Sequence, residues 1–378
     1  MNEVVIAGYA RSPFTFARKG ELARVRPDEL TAQVIRGLLE RTGADAADIE
    51  DLLLGCAFPE GEQGLNVARL AGFLAGLPQS VAGATINRFC GSSMQAIHAA
   101  AGAIALGAGE LFLCAGVESM SRVPMAGFNP MPHPDLYARY PQAYMGMGET
   151  AENVARKYGV SREAQEAFAV TSQERAAQAQ ADGNFTDEII QVSHGETVVD
   201  RDGCIRAGTT AEALAELEPA FLSDGTVTAG TSSPLTDGAS ATLVCSADYA
   251  ASHGLPVLAK IRSVAVAGCA PEIMGIGPVL ASRKALERAG LAIGDIDIVE
   301  LNEAFAAQAL ACMQELELDP GRVNLDGGAI ALGHPLGATG ARITGKAATL
   351  LVREGKQFAL ATQCIGGGQG IATVLEAG

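Results

Sequence analysis

Two stretches decide the architecture: LERTGADAADIEDLLLGCAF, residues 39–58, and LERAGLAIGDIDIVELNEAF, residues 286–305. Set in register 247 residues apart, they share Leu, Glu, Arg, Gly, Asp, Ile, Ala and Phe without a gap. The same separation carries Gly91 onto Ala338, near the head of the small-residue helix GATGARITGKAATLL, and carries LFLCAGV (111–117) onto FALATQC (358–364). One register kept over so long a span marks a duplicated unit, and repetition of this kind is settled before any local motif is read.

After Val117 the first copy is interrupted. Its closing strand, SATLVCSA at 240–247, reappears where the second copy has GIATVLEA at 370–377. Between Val117 and that strand lie a Pro-, Met- and Tyr-rich stretch, 123–144, and GVSREAQEAFAVTSQERAAQAQADG, which reads as a helix with Ser161 at its N-cap and Gly183 just past its end. Within the copies, DELTAQVIRGLLERTG places Leu30, Val34 and Leu38 at four-residue spacing and stops at Gly43, and the following DLLLGCAF is a nearly all-apolar strand. Apolar strands without alternation suit a sheet covered by helices on both faces. The expected fold class is α/β, a duplicated five-layer α/β/α/β/α body with an inserted loop domain. Residues 1–118 with 239–252 form the first half, 119–238 the insertion and 253–378 the second half.

With 378 residues, 48% of them hydrophobic, a large core is available, and 45 glycines allow close backbone approach. A net charge of −16 argues against nucleic acid or an anionic membrane surface as partner, so positive contacts to an anionic ligand must be local. No window has the apolar length of a membrane span, and the opening MNEVVIAGYARSPF reads as a strand rather than a charged leader. The eight cysteines form no CxxC pair, and a chain this long needs no disulfide staples, so a reducing cytoplasm is expected. Cys56, Cys114, Cys245, Cys269 and Cys312 read as small core hydrophobes.

Cys90 is different. In NRFCGSSMQAIHAAAG, residues 87–102, it stands at the start of a helix, where the dipole and unpaired N–H groups favour thiolate. Close helix packing explains the small residues after it but not the thiol at the turn. In the second copy, GGAIALGHPLGATGAR (327–342) places His334 three residues before the position equivalent to Cys90, and the duplication turns it toward that thiol. Cys with His is a recognised nucleophile and base pairing. The third element is QCIGGGQG, 363–370, where a strand ends in Cys364 and a glycine run that lets backbone amides approach a ligand, although a tight turn explains the glycines equally. GARITGKA (340–347) has phosphate-loop spacing but Ala347 in place of the metal-holding hydroxyl, and neither AGVES nor GGGQG makes a dinucleotide fingerprint.

With NRFCGSSMQAIHAA, AGVESMS, GTVTAGTSSPLTDGASA, LNEAFAAQ, NLDGGAIALGHPLGATGAR and QCIGGGQGIA in view, the chain resembles the thiolase family over essentially its whole length. GTSSPLTDGASA and EQGLNVARLAG are more similar to the degradative 3-ketoacyl-CoA branch. The resemblance implies that Cys90 is the acylated nucleophile, His334 its base and Cys364 a second acid/base. Asn302 would hold a water facing an enolate oxygen beside His334, and the backbone N–H groups of Cys90 and Gly366 would form an oxyanion hole. Met147, Arg206, Ser233 and Phe305 match coenzyme A contacts. Coenzyme A is then a substrate, alongside 3-ketoacyl-CoA and acetyl-CoA, and neither a metal nor a redox cofactor is expected.

Two positions depart from the family pattern. Glu218 stands where a base is common, and Gly146 where the short-chain branch bears His, which would open the acyl pocket. The resemblance further implies a homodimer or homotetramer, with 123–144 as a candidate subunit-contact loop, and a possible hydratase/dehydrogenase subunit. The rival readings are a biosynthetic acetyl-CoA C-acetyltransferase with the same catalytic residues, a decarboxylating ketoacyl synthase, and a non-catalytic protein on the same body.

Overall fold

The computed structural model describes residues 2–378. In the first copy, β1 (Val4–Arg11) leads to α1 (Pro27–Thr42), β2 (Asp51–Gly55), α2 (Val67–Ala75), β3 (Ala82–Ile86), α3 (Ser92–Ala105) and β4 (Leu111–Ser119). The chain then leaves the sheet and builds, among shorter turns, α4 (Met147–Tyr158) and α5 (Arg162–Ala181) before returning as β5 (Thr236–Ser246). The second copy runs β6 (Ala259–Gly268), α6 (Gly277–Ala289), β7 (Ile298–Leu301), α7 (Ala306–Leu316), α8 (Leu336–Glu354), β8 (Phe358–Ile365) and β9 (Gln369–Ala377).

The sequence register is visible in detail. Helix α1 ends on Gly43 with φ 68°, and α6 ends on Gly290 with φ 70°, both left-handed caps that a side chain would strain. Each cap leads through one short 3-10 turn, Ala46–Asp48 or Ile293–Asp295, into a strand parallel to its neighbour, β2 with β4 and β7 with β8. Strands β4 and β8 then pair antiparallel with β5 and β9, the two closing strands read from sequence. Ser161 caps α5 by accepting from Ala164 N, as its position in the sequence suggests. One boundary differs: α8 starts at Leu336 with Pro335 as N-cap, two residues before Ala338, because Pro fits a helix entry where no N–H is needed.

The strands form one sheet in the order β7-β8-β9-β6-β1-β5-β4-β2-β3, with Thr15–Phe16 added beside β5. At its middle the copies meet through only two residue pairs, Val5 with Lys260 and Ile6 with Ala259. Helices α3 and α8 lie between the half-sheets. Ile97, Ala100 and Ile104 of α3 pack on Leu53 and Phe112, while Ile343, Ala347 and Leu351 of α8 pack on Ala359, Ala361 and Leu375. Leu52 and Leu54 face the other way, into the layer of Val34 and Leu38 from α1, and Leu360 faces Leu286 and Met313 of α6 and α7. Strand alternation thus feeds inner and outer layers from one strand, giving the five-layer α/β/α/β/α body. Among the described residues no helix is long and apolar enough to cross a membrane. The phosphate-loop look-alike at 340–347 lies inside α8, with Lys346 buried against Glu188 and Asp326.

Candidate active site

Cys90 sits in a tight turn ahead of α3. Phe89 adopts φ +43°, which a bulky residue rarely takes, and its N–H donates to Asn87 Oδ1 at 2.8 Å. Gly91 N–H closes the turn on Arg88 O at 3.0 Å. At Gly91 the copies nearly touch: a Cβ there would lie 2.5 Å from Ile365 of β8, which explains the glycine. The Cys90 residue keeps partial exposure while protein surrounds its sulfur. Burial pushes the thiol up to about 11, opposed by the N–H groups of Gly366 and of Cys90 itself, and reinforced by the Glu118 carboxylate. The expectation that a helix N-terminus favours thiolate is therefore outweighed by desolvation, and the resting group is a thiol.

His334 follows Gly333, whose φ of 104° suits only glycine, and its own N–H donates to Thr236 Oγ1 at 3.2 Å. Its Nδ1 lies 2.6 Å from Thr339 Oγ1, and that hydroxyl donates its single proton to Pro335 O at 3.0 Å. Thr339 must therefore accept from His334, which puts the ring proton on Nδ1 and leaves the lone pair on Nε2. Burial, together with the charge of Arg342, lowers the imidazole to about 3, so the ring is neutral. Asn302 Nδ2 stands 3.4 Å from that Nε2, oriented by the same lone-pair logic, while Asn302 Oδ1 is buried with no partner among the described residues.

Cys364, the buried thiol of β8, packs with Ala304, Phe305, Met274 and Val227, and Met147 lies against this cluster. Burial raises it well above an ordinary thiol, and the neighbouring Cys90 adds to the shift. Gly366 lies beside Met147 and Phe89. Ser233 donates its hydroxyl to Ala304 O at 3.1 Å, and Phe305 meets Phe221 edge to face at 5.8 Å. Met147, Ser233 and Phe305 therefore gather around Cys364. Arg206 stands apart at the surface, its guanidinium 5.1 Å over the Phe16 ring. Among the described residues no hydrogen bond joins His334 to either thiol; Leu336, two residues on, packs against Cys90.

Three contributors escape a reading of the sequence. Thr339 fixes the imidazole tautomer. Glu118, 1% exposed, accepts from Ala57 N, Gln63 Nε2 and Gly337 N, each at 2.9 Å, and so binds the β2 loop of one copy to the first turn of α8 in the other. Gln363 Nε2 donates to Cys90 O across the copies. All three lie inside motifs quoted above, but nothing in those motifs names their partners.

Two thiols, a neutral imidazole whose Nε2 faces the Asn302 amide, and that amide's unfilled acceptor are drawn from both copies of a duplicated α/β body, a set suited to acyl transfer. The chain belongs to the thiolase family: residues 4–248 match "Thiolase, N-terminal domain" and 255–377 match "Thiolase, C-terminal domain". It is 49% identical to the 3-ketoacyl-CoA thiolase of Bacillus subtilis (strain 168) over 389 aligned residues, covering 100% of both chains. It is 50% identical to that of Erwinia tasmaniensis over 387, again covering 100% of both. Among solved structures it superposes on human mitochondrial 3-ketoacyl-CoA thiolase with a TM-score of 0.92 at 37% identity, covering 100% of this chain and 99% of that one. The Bacillus anthracis acetyl-CoA acetyltransferase gives the same TM-score and coverage at 40% identity.

Proposed function

We propose that this thiolase cleaves 3-ketoacyl-CoA with coenzyme A, giving acetyl-CoA and a shortened acyl-CoA, through an acyl-enzyme on Cys90. The observation that carries this reading is the neutral imidazole of His334, with Nδ1–H committed to Thr339 and the Nε2 lone pair oriented by the Asn302 amide.

In the proposed sequence His334 Nε2 takes the Cys90 proton and the sulfur attacks the 3-keto carbon, placing the alkoxide on the N–H groups of Cys90 and Gly366. Rupture of the C2–C3 bond leaves its electron pair in the acetyl-CoA enolate. The enolate oxygen faces protonated His334 and a water on Asn302, and the Cys364 thiol protonates C2. Acetyl-CoA departs; Cys364 as thiolate then deprotonates incoming coenzyme A, whose sulfur attacks the Cys90 thioester, the shortened acyl-CoA leaves, and the expelled Cys90 thiolate takes back the proton held by His334. A buried thiol that holds its proton tightly stays protonated until the enolate forms, and its thiolate is then a strong base toward incoming coenzyme A. Residues 119–238 act as the coenzyme A-binding and subunit-contact domain in this reading, between halves at 1–118 with 239–252 and 253–378. Met147, Ser233 and Phe305 line the pantetheine path and Arg206 meets the nucleotide.

The acetyltransferase reading has support in the likeness to the Bacillus anthracis enzyme. Against it stands Gly146, where a Cβ would meet only Glu149, at 4.0 Å, so that the place is open to a longer chain. Exposed Met125, Phe128 and Met131 along 123–144 support that loop as a contact between copies of a homodimer or homotetramer, and a hydratase/dehydrogenase partner and a cytoplasmic location accord with the degradative reading. The deciding measurement is CoA-dependent loss of 3-ketoacyl-CoA absorbance across chain lengths, with turnover expected at C8 and beyond. Strong preference for acetoacetyl-CoA would transfer the assignment to the acetyltransferase, malonyl-CoA turnover would revive a synthase, and thiolysis unaffected by Cys90→Ser would end the covalent mechanism.

A further inference from the structure

The glycine run after Cys364 adopts a backbone only glycine takes easily: Gly367 and Gly368 have φ of 77° and 83°. An oxyanion hole works only if its donors are held in place before the charge develops. Here one donor, Cys90 N–H, belongs to the first copy, and the other, Gly366 N–H, to the second. Something must fix one copy's peptide against the other's.

Two glutamines flank the glycines. Gln363 precedes Cys364 on β8, and strand alternation turns it to the opposite face, the face of Ile365, which abuts Gly91. It is completely buried. Its Nε2 donates to the Cys90 carbonyl, which precedes the N-cap Gly91 and so lies outside the α3 hydrogen-bond ladder. Its Oε1 has no partner among the described residues. The reversed amide would set two oxygens face to face, so the orientation is dictated. A buried carbonyl without a partner is destabilising, and an apolar residue of equal volume would avoid it. The donation to Cys90 is what the amide contributes.

Gln369, at the start of β9, makes the second connection. Arg88 Nη1 of the first copy donates to Gln369 Oε1 at 2.9 Å, and Gln369 Nε2 donates to Gly366 O at 3.5 Å. Arg88 is itself steadied by Gln95, 2.9 Å from its Nε. The carbonyls of both proposed oxyanion-hole residues are thus each held by a glutamine of the second copy, and both connections cross to the turn that carries Cys90.

We propose that Gln363 and Gln369 are positioning residues: by holding the Cys90 and Gly366 carbonyls, each one peptide unit beyond the donating N–H of the same residue, they fix those two residues against each other and so preorganise the oxyanion hole. The inference rests on the acyl-transfer reading. Removing either amide leaves the substrate path intact while loosening the donors, so the loss falls on the chemical steps rather than on binding.

The test is Gln363→Met and, independently, Gln369→Met and Arg88→Met, measured by steady-state thiolysis, by the rate of Cys90 acylation in intact-mass spectra with acetyl-CoA, and by thermal unfolding. For Gln363→Met kcat and the acylation rate should fall roughly a hundredfold, the scale of a misplaced catalytic group, with KM for both substrates within twofold and a Tm unchanged or higher. Gln369→Met and Arg88→Met should each show a smaller loss of the same type, and the double variant should be no worse than either single one. A folded Gln363→Met enzyme with kcat within twofold of the wild type, or a loss confined to KM, overturns the inference. If Gln363→Met does not fold, additive losses in the Arg88 and Gln369 variants overturn it in turn. A wild-type enzyme that neither turns over nor acylates Cys90 would instead sink the acyl-transfer reading, and this inference with it.

Discussion

The amide nitrogen of Asn302 lies 3.4 Å from Nε2 of His334, and the oxygen of the same amide is buried without a partner among the described residues. One side of the amide is thus spent on orienting the imidazole lone pair, and the other is open to a water or to substrate. Asn302→Ala should lower kcat about a hundredfold, on the scale of a lost oxyanion donor. Asn302→Asp tests the electrostatics: a carboxylate beside the ring favours imidazolium and raises His334 from about 3. Because the base acts only when neutral, the acid limb of the kcat–pH profile should move to higher pH; an unmoved limb would show that His334 is not the base.

Burial holds Cys90 at about 11, and His334 stays neutral, so the resting site contains no thiolate–imidazolium pair. Alkylation of Cys90 by iodoacetamide, followed peptide by peptide because Cys269 is also partly exposed, should climb about tenfold per pH unit from roughly pH 7 to 10, as thiolate reactivity below a pKa requires. A plateau already reached at neutral pH would mean an ion pair formed in the resting enzyme.

A Cβ on Gly55 would run into Ser93 N and the carbonyl carbon of Ser92, the backbone of the first turn of α3. Gly55→Ala should therefore destabilise the protein by roughly 1–3 kcal/mol, the range for overpacking, and should depress activity by shifting the Cys90 turn. Gly102 lies in the same helix with nothing within 4 Å of its would-be Cβ. Gly102→Ala should stabilise by about 0.5–1 kcal/mol through helix propensity. Equal melting temperatures for the two variants would contradict the packing described for α3.

His98, with Nε2 2.8 Å from Thr373 Oγ1, is lowered to about 3 by burial and by the charges of Arg88 and Arg288. Below about pH 6.5 the unfolded chain takes up a proton that the native site refuses. Its contribution is thus intact above that pH and is lost as pH falls toward about 3. In denaturant titrations between about pH 6.5 and 4, His98→Gln should reduce the pH slope of stability by about 1 kcal/mol per unit. Parallel slopes would mean that His98 is protonated in the native protein.

Much of this was legible in the sequence because it is local or periodic. The left-handed caps at Gly43 and Gly290, the Ser161 cap and the closing strands at 240–247 and 370–377 each follow from residues a few positions apart. What the sequence withheld depends on pairs far apart along the chain. Glu118 meets Gly337, Arg11 meets Asp202 at 2.7 Å with no exposure on either side chain, and Gln363 reaches Cys90. A buried charge or amide carries no periodic signature; its partner is fixed only by how the layers stack. The thiol state of Cys90 was hidden for the same reason, since the helix end is local whereas desolvation belongs to the whole packed interior.

The narrow seam at Val5–Lys260 and Ile6–Ala259 bears on how such a protein could arise. A single ancestral copy bearing both groups would join the thiol of one molecule to the imidazole of another only when two molecules met, an encounter that fades on dilution. Fusion into one chain would make that encounter permanent and would free each copy to lose a group that its twin retains. The present asymmetry, with cysteine at 90 and glycine at the equivalent 337, is the mark of that division of labour.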